Sequence, residues 1–395
     1  MRQAIGRRQA LAEIGVTVAG LATVTACGRL AAQAAPGKPA AAGRVAGSLL
    51  WRSQAAAPGD DEPMILTAAG IVYATGGGHD YGDSGAYAFD AATGRELWRT
   101  PGSSGPRPYA AGPGAVFGFT VTPGGRTGVV ATSATTRRTL WTDDVGRLLD
   151  SAKVGWMAYA GGLVYVAAGT TEDSTAGQPT IRVLDARTGD RVWEATTGAA
   201  PQTPAIADGV VYTGAASSLN AASGAVVALN AATGERIWRS ADVGGSPVTL
   251  AVTGGVVCGS VLTSSLRSVS FGLDARTGRQ LWRMTFPAAA LAGTDGILFF
   301  FTFNIGPSLS YTVQARRAQT CALAWKRTFP GETALAANRG VLYLGSGDRT
   351  LRALSGATGQ PVWTYRLRAP ASAIATGASA VYALDGRGAI YGLQA

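Results

Sequence analysis

The sequence predicts an all-β fold, an eight-bladed propeller of four-stranded blades, on three observations. The stretch Ala88-Phe89-Asp90-Ala91-Ala92-Thr93-Gly94-Arg95-Glu96-Leu97-Trp98 returns in close variants at 183–193, 228–238, 272–282 and 353–363. Trp51, Trp98, Trp141, Trp193, Trp238, Trp282, Trp325 and Trp363 follow one another at intervals of 38 to 52 residues, the period that four strands and their turns occupy. Eight shorter strands, such as Ile71-Val72-Tyr73 and Val210-Val211-Tyr212, recur upstream of the hairpins.

Each repeat reads as an alternating apolar strand, a tight turn ending in Thr-Gly and a second strand closed by Trp. The Asp or Asn and Thr side chains can bond backbone groups within the turn, and Gly accepts the positive φ that a branched residue resists. Two copies are degraded: in 133–141 the glycine position is Arg137 and in 317–325 it is Cys321, although Thr136 and Thr320 keep their places. The upstream strands place an aromatic residue after two apolar ones, and Val256-Val257-Cys258 fills the one slot without it.

Eight upstream strands but seven complete hairpins leave one blade unfinished. The C-terminal residues 390–395 align with 86–91 and stop where the turn would begin, while Leu49-Leu50-Trp51-Arg52 is a fourth strand without a blade. These N-terminal residues are therefore expected to form the outermost strand of the last blade and close the ring.

The segments Asp185-Ala186-Arg187-Thr188-Gly189 to Trp193 and Asn230-Ala231-Ala232-Thr233-Gly234 to Trp238 resemble the pyrroloquinoline-quinone-type propeller repeat, and the resemblance covers residues 48–395. It implies that the repeat tryptophans dock each blade on the next. Independently, burying an indole removes about 200 Å² from water, which at about 25 cal/mol per Å² is a few kcal/mol for each Trp.

Residues 1–26 read as an export signal, with the twin arginine Arg7-Arg8 followed by a moderately apolar run from Ile14 to Ala26. The run is too short and too rich in Gly and Ala for a transmembrane anchor. Val24-Thr25-Ala26-Cys27 resembles a bacterial lipobox, which implies acylation of the Cys27 sulfur and removal of the peptide before it. The competing readings are an ordinary secretory signal that contains a Cys and a plain basic segment at Arg7-Arg8. Residues 27–47 then form the lipid-attachment site and a flexible Ala-, Pro- and Gly-rich tether.

The 395-residue chain has a formal net charge of +10, and loss of residues 1–26 removes Arg2, Arg7, Arg8 and Glu13, a net loss of two positive charges. The basic residues appear scattered along the sequence without a polybasic run, so a solvated surface is the plain reading and an affinity for anionic lipid or wall polymer the alternative. No motif supports nucleic-acid binding. Cys258 falls in mid-strand and Cys321 in a turn, and two packed thiols are expected in place of a disulfide.

Sites of chemistry are sparse. Four long loops, 75–84, 169–180, 261–267 and 303–308, are expected at one end of the ring, where a rigid scaffold can present variable recognition segments. His79, Asp80 and Asp83 in the first, and Glu172 and Asp173 in the second, read as solvated polar residues, and no metal site is assigned because His79 is the only histidine. No Ser-His-Asp or Cys-His constellation can be assembled, so no catalytic residue is assigned. Trp156, off the repeat, is placed in an innermost strand as a tentative contact for a channel ligand, with core packing as its alternative.

The sequence is thus read as a monomeric, non-catalytic lipoprotein, held by Cys27 on the outer face of a bacterial cytoplasmic membrane or the periplasmic side of an envelope membrane. It resembles the BamB-type envelope propellers, which implies protein partners held by loops on one face. The alternative is a quinoprotein dehydrogenase-like enzyme or sensor binding pyrroloquinoline quinone, with calcium, or another small ligand in the axial channel.

Overall fold

The computed structural model describes residues 45–55, 64–76, 85–100, 108–121, 127–143, 155–168, 180–197, 204–216, 222–262, 268–285, 290–304, 309–331 and 334–395. Arg7, Arg8, Cys27, His79, Asp80, Asp83, Glu172 and Asp173 lie outside the described residues, as does most of the four long loops. Thirty-two strands form eight antiparallel sheets of four, which follow one another along the chain as blades 1 to 8. The first seven blades span 65–99, 110–143, 155–196, 205–239, 247–285, 290–330 and 334–366. Strands are counted outward, the first lining the axial channel and the fourth forming the outer wall. No helix of the described residues is long and apolar enough to cross a membrane.

Blade 8 joins the two halves of the seam as the sequence predicts. Ala371–Thr376, Ala380–Asp385 and Ala389–Gln394 supply three strands, and Leu49–Gln54 pairs antiparallel with the last of them as its fourth. The turn is rebuilt from both chain segments. In blade 1 the Gly94 amide donates to the Asp90 carbonyl and the Asp90 amide to the Arg95 carbonyl; at the seam the Gly47 amide donates to Gln394 and the Gln394 amide to Ser48. Residue 395 and residues 45–48 thus complete a turn of the same five-residue length as the seven continuous ones.

The turn chemistry follows the repeat. Asp185 Oδ1 accepts the amides of Arg187 and Thr188, and the Thr188 hydroxyl accepts the Asp190 amide at 3.2 Å. Gly189 stands at φ 82°. Its missing Cβ has a second cause, because one added there would meet the Trp141 ring of the preceding blade at 2.7 Å, and one on Gly47 would meet Trp363 at 2.7 Å. The degraded copies keep the turn: Arg137 and Cys321 adopt φ of 61° and 58°, and their amides donate to Ser133 and Arg317 as the glycines do. That left-handed backbone costs an ordinary residue about 1 kcal/mol or more, which neighbouring contacts offset. Arg137 donates to the Arg99 carbonyl of blade 1, and Cys321 is buried against Met284 of blade 5.

Every repeat Trp sits opposite the third strand beside a bulge, as Trp238 does against Ala228 and Trp51 against Gly392. The bulge turns the indole out of its own sheet and onto the next blade. The core is accordingly a ring of interblade clusters. Between blades 3 and 4, for example, Tyr165, Ile181, Val183 and Trp193 meet Ile206, Val211, Val227 and Leu229. Third strands buried on both faces read as near-continuous apolar runs, Gly224–Asn230 being the clearest.

The candidate recognition end and the axial channel

Seven of the eight repeat tryptophans donate their indole N–H to a backbone carbonyl in the next blade's turn. Trp51 reaches Ala91, Trp98 Ala134, Trp141 Ala186, Trp193 Ala231, Trp238 Ala275, Trp282 Ala318 and Trp325 Gly356, at 2.6 to 3.0 Å. Trp363 lies under Gly47, which brings it onto the seam turn of blade 8. In three blades a tyrosine of the second strand shares the acceptor. Tyr165 joins Trp193 on Ala231 at 3.0 Å, Tyr212 joins Trp238 on Ala275 at 3.2 Å, and Tyr382 joins Trp51 on Ala91 at 3.3 Å.

A carbonyl oxygen has two lone pairs, and here one holds an indole and the other a phenol. The sequence shows the recurring aromatic of the second strand but not this pairing; the preference for Tyr over Phe there was the available signal. Burial pushes the hydroxyls of Tyr73, Tyr165, Tyr212 and Tyr382 up to about 12. Turn carboxylates move the opposite way. Hydrogen bonds from Thr93, Thr188 and Thr277 hold Asp90, Asp185 and Asp274 below the usual carboxylate range.

The two ends of the ring are therefore unlike. At one end lie the third-to-fourth turns, all five residues long, and the first-to-second turns, two residues long in seven blades. They bond each other, Ala91 N–H donating to Gly70 and Ala231 N–H to Gly209. At the other end the connections between second and third strands run from three residues in blade 8 to eleven in blade 3, and the links between blades begin and finish there too. Pro108, Pro204 and Pro247 stand at this end, at the entry to the first strands of blades 2, 4 and 5.

Tight hairpins close this end in blades 7 and 8. Asp348 accepts the Thr350 amide and the Arg352 guanidinium, which holds its carboxyl far below the usual range. Asp385 is fully buried and accepts from Arg387 N–H, Ala389 N–H and the Tyr391 hydroxyl. Both carboxylates are committed to their own hairpins.

The eight first strands that line the channel read ILTA, AAG, GWMAYA, AIA, PVTLAVT, ALAGT, ALAAN and ASAIAT. They contain no Asp or Glu. Calcium takes six to eight oxygen ligands, with carboxylates prominent, and among the described residues no group of three His, Cys, Asp or Glu side chains is placed to hold a metal. The described first strands therefore offer no carboxylate to a calcium ion. Trp156 belongs to one of these strands but is only 6% exposed, packed in the cluster between blades 3 and 4, with its indole N–H unpartnered. Strand alternation turns its ring into that interface and its neighbour Met157 into the one between blades 2 and 3. Cys258 and Cys321 are free thiols in one cluster between blades 5 and 6. Burial raises both, and the Arg316 guanidinium partly opposes the rise at Cys321.

The fold is shared with proteins of very different sequence. BamB from Moraxella catarrhalis is 16% identical, with a TM-score of 0.58 over 88% of this chain and 100% of that one. The computationally designed Ika8 protein is 17% identical, with a TM-score of 0.61 over 88% and 98%. Quinohemoprotein alcohol dehydrogenase from Comamonas testosteroni is 14% identical, with a TM-score of 0.57 over 88% of this chain and 76% of that one. No curated protein matches the chain. The family model for outer membrane protein assembly factor BamB matches residues 4–125, 125–264 and 267–395. The chain belongs to that family.

Proposed function

We propose that this chain is a non-catalytic, lipid-anchored scaffold of the bacterial envelope, exported through the Arg7-Arg8 signal and held by an acylated Cys27. It grips partner proteins with the connections at the end of the ring opposite the Thr-Gly turns. The observation that carries this reading is the separation of the two ends. One end has nearly uniform turn lengths, blade 8's first-to-second turn alone being a residue longer, with its polar groups committed to clamps and turns, while the long connections of irregular length converge on the other. Length variation borne by a rigid ring suits recognition. The family match supports an envelope role.

Site-specific photo-crosslinking in cells tests the reading. A crosslinker at Ser174, in the long connection of blade 3, is expected to yield adducts, and one at Thr233, in the turn of blade 4, none. Cys27→Ser is expected to abolish fatty-acid labelling and release the chain from membranes. Adducts from the turn end alone, or a Cys27→Ser chain that stays membrane-bound, would overturn it. The quinone reading is favoured only by the shared fold with alcohol dehydrogenases, and a fluorescence titration with pyrroloquinoline quinone and calcium tests it directly. Saturable quenching that depends on calcium would replace the scaffold reading.

A further inference from the structure

The structure sorts the charges that look scattered in the sequence. The outer-wall strands of blades 4 to 8 are Arg236–Arg239, Gln280–Thr285, Leu323–Pro330, Pro361–Arg366 and Leu49–Gln54. They carry Arg236, Arg239, Arg283, Lys326, Arg327, Arg366 and Arg52 and no carboxylate. The corresponding strands of blades 1 to 3, Glu96–Arg99, Thr139–Asp143 and Arg191–Thr196, carry Arg99 and Arg191 against Glu96, Asp143 and Glu194.

Pairing follows the same division. The ion pairs of the described residues are Arg99–Glu96, Arg182–Asp143, Arg182–Glu194, Arg191–Glu194 and Arg352–Asp348, and none uses a cation of the five basic walls. Asp242 accepts the amides of Gly224 and Gly244 on one oxygen, and the nearby Arg283 guanidinium adds to the lowering of its carboxyl without an ion pair. Glu235, beside Arg236 in the turn, and Asp242, three residues after Arg239, are exposed carboxylates at the two ends of the wall of blade 4.

Exposed aliphatic side chains stand among these cations: Ile237 and Leu323 at 51%, Val362 at 54% and Leu49 at 44%. Leu140 and Val192 are similarly exposed on blades 2 and 3, so apolar exposure occurs both inside and outside the arc and charge distinguishes it. Val45, 74% exposed, adjoins the outer strand of blade 8.

We propose that the ring docks edge-on against an anionic phospholipid surface through adjacent outer walls of the arc from blade 4 to blade 8. Cations bring the wall to the headgroups, and the aliphatic side chains between them enter the interfacial layer. The wall is convex and made of strands without a groove, which suits a deformable charged plane better than an extended peptide. The inference rests on the extracytoplasmic membrane reading for the source of the lipid but not on acylation of Cys27.

The chain from Gly28 onward keeps all thirty-two strands and lacks Cys27, so its binding reports the wall alone. It is expected to sediment with phosphatidylcholine vesicles only when they contain phosphatidylglycerol, and to be released by salt. The quartet Arg236→Gln, Arg239→Gln, Lys326→Gln and Arg366→Gln is expected to weaken binding at least roughly tenfold, since each cation near the surface contributes to attraction. The matched quartet Arg95→Gln, Arg99→Gln, Arg138→Gln and Arg191→Gln lowers net charge equally and is expected to change it less than about twofold, because these cations lie on blades whose outer strands also carry carboxylates. Lysine at the four arc positions should restore binding, which separates a charge effect from misfolding. Equal weakening by both quartets, equal binding to neutral vesicles, no sedimentation, or preference for soluble polyglutamate over vesicles would each overturn the proposal, the last in favour of an acidic protein partner.

Discussion

The shared carbonyl at Ala231 makes a prediction that packing alone does not. Its oxygen accepts the Trp193 indole and the Tyr165 hydroxyl, both at 3.0 Å, and the three residues are at most 8% exposed. Tyr165→Phe removes one donor and should cost about 1 kcal/mol. Trp193→Phe removes the other, together with part of a buried ring, and should cost about 2 kcal/mol. In each single variant the carbonyl keeps one partner. In the double variant it keeps neither, and a buried acceptor without a donor adds about 1 kcal/mol. The double variant should therefore lose about 4 kcal/mol, where simple addition gives about 3. Reversible urea denaturation of the four proteins, followed by tryptophan fluorescence and circular dichroism, measures the difference. Distant independent sites add to within about 0.5 kcal/mol, so an additive double variant would refute the shared acceptor.

Other outcomes follow from the same geometry. Deleting residues 48–52 removes the fourth strand of blade 8 and the Trp51 contact with blade 1, so the whole ring should lose thermal stability; an unchanged melting temperature would contradict closure. Gly189→Ala adds a Cβ at φ 82° and 2.7 Å from Trp141 and should cost at least about 2 kcal/mol by thermal unfolding, whereas Gly70→Ala meets no atom within 4 Å and should cost only the backbone strain. Asp90, Asp185 and Asp274 have folded pKa values below their unfolded value of 3.8, so their contribution is present above that value and lost as pH falls below it; replacing all three by Asn should flatten the acid limb of melting temperature against pH. Tyr73, Tyr165, Tyr212 and Tyr382 titrate near 12 folded and at 10.0 unfolded, so stability is intact below pH 10 and declines as pH rises towards 12, with phenolate absorbance appearing together with unfolding.

Blade number, strand order and the seam were legible because local signatures recur, the Trp eight times and the Thr-Gly turn five times with two degraded copies. The Trp position marks a bulge, Thr-Gly marks a turn of fixed length, and residues 390–395 stop one turn short of Leu49 in the repeat register. What escaped the sequence depends on which blade a side chain meets. Trp193 is marked by the repeat and donates to Ala231, whereas nothing in the sequence shows that Trp156, off the repeat, enters the same interface with no acceptor for its indole. Tyr165 reads as one more core residue until its hydroxyl is placed beside a carbonyl 66 positions away. The charge arc was hidden for a related reason: Arg236, Arg283 and Lys326 are separated by more than forty residues in turn, and only closure into a ring brings their strands to one side.

Ring closure also determines where sequence can vary without cost. A change of length in a Thr-Gly turn would move the carbonyl that receives the previous blade's indole and expose a buried donor, a penalty of about 1 to 3 kcal/mol at each of the interfaces it touches. The seven indole acceptors found among the described residues all lie at the turn end, while the second-to-third connections of blades 1 to 6 range from five to eleven residues. The outer wall is similarly free, since the side chains between the docking tryptophans face solvent. Recognition can therefore be written into two surfaces, the irregular end and the basic rim, while the turn end and the interblade aromatics keep the ring rigid. A functional difference between two rings of this kind should appear as loop length and wall charge, with the spacing from Thr-Gly to Trp left unchanged.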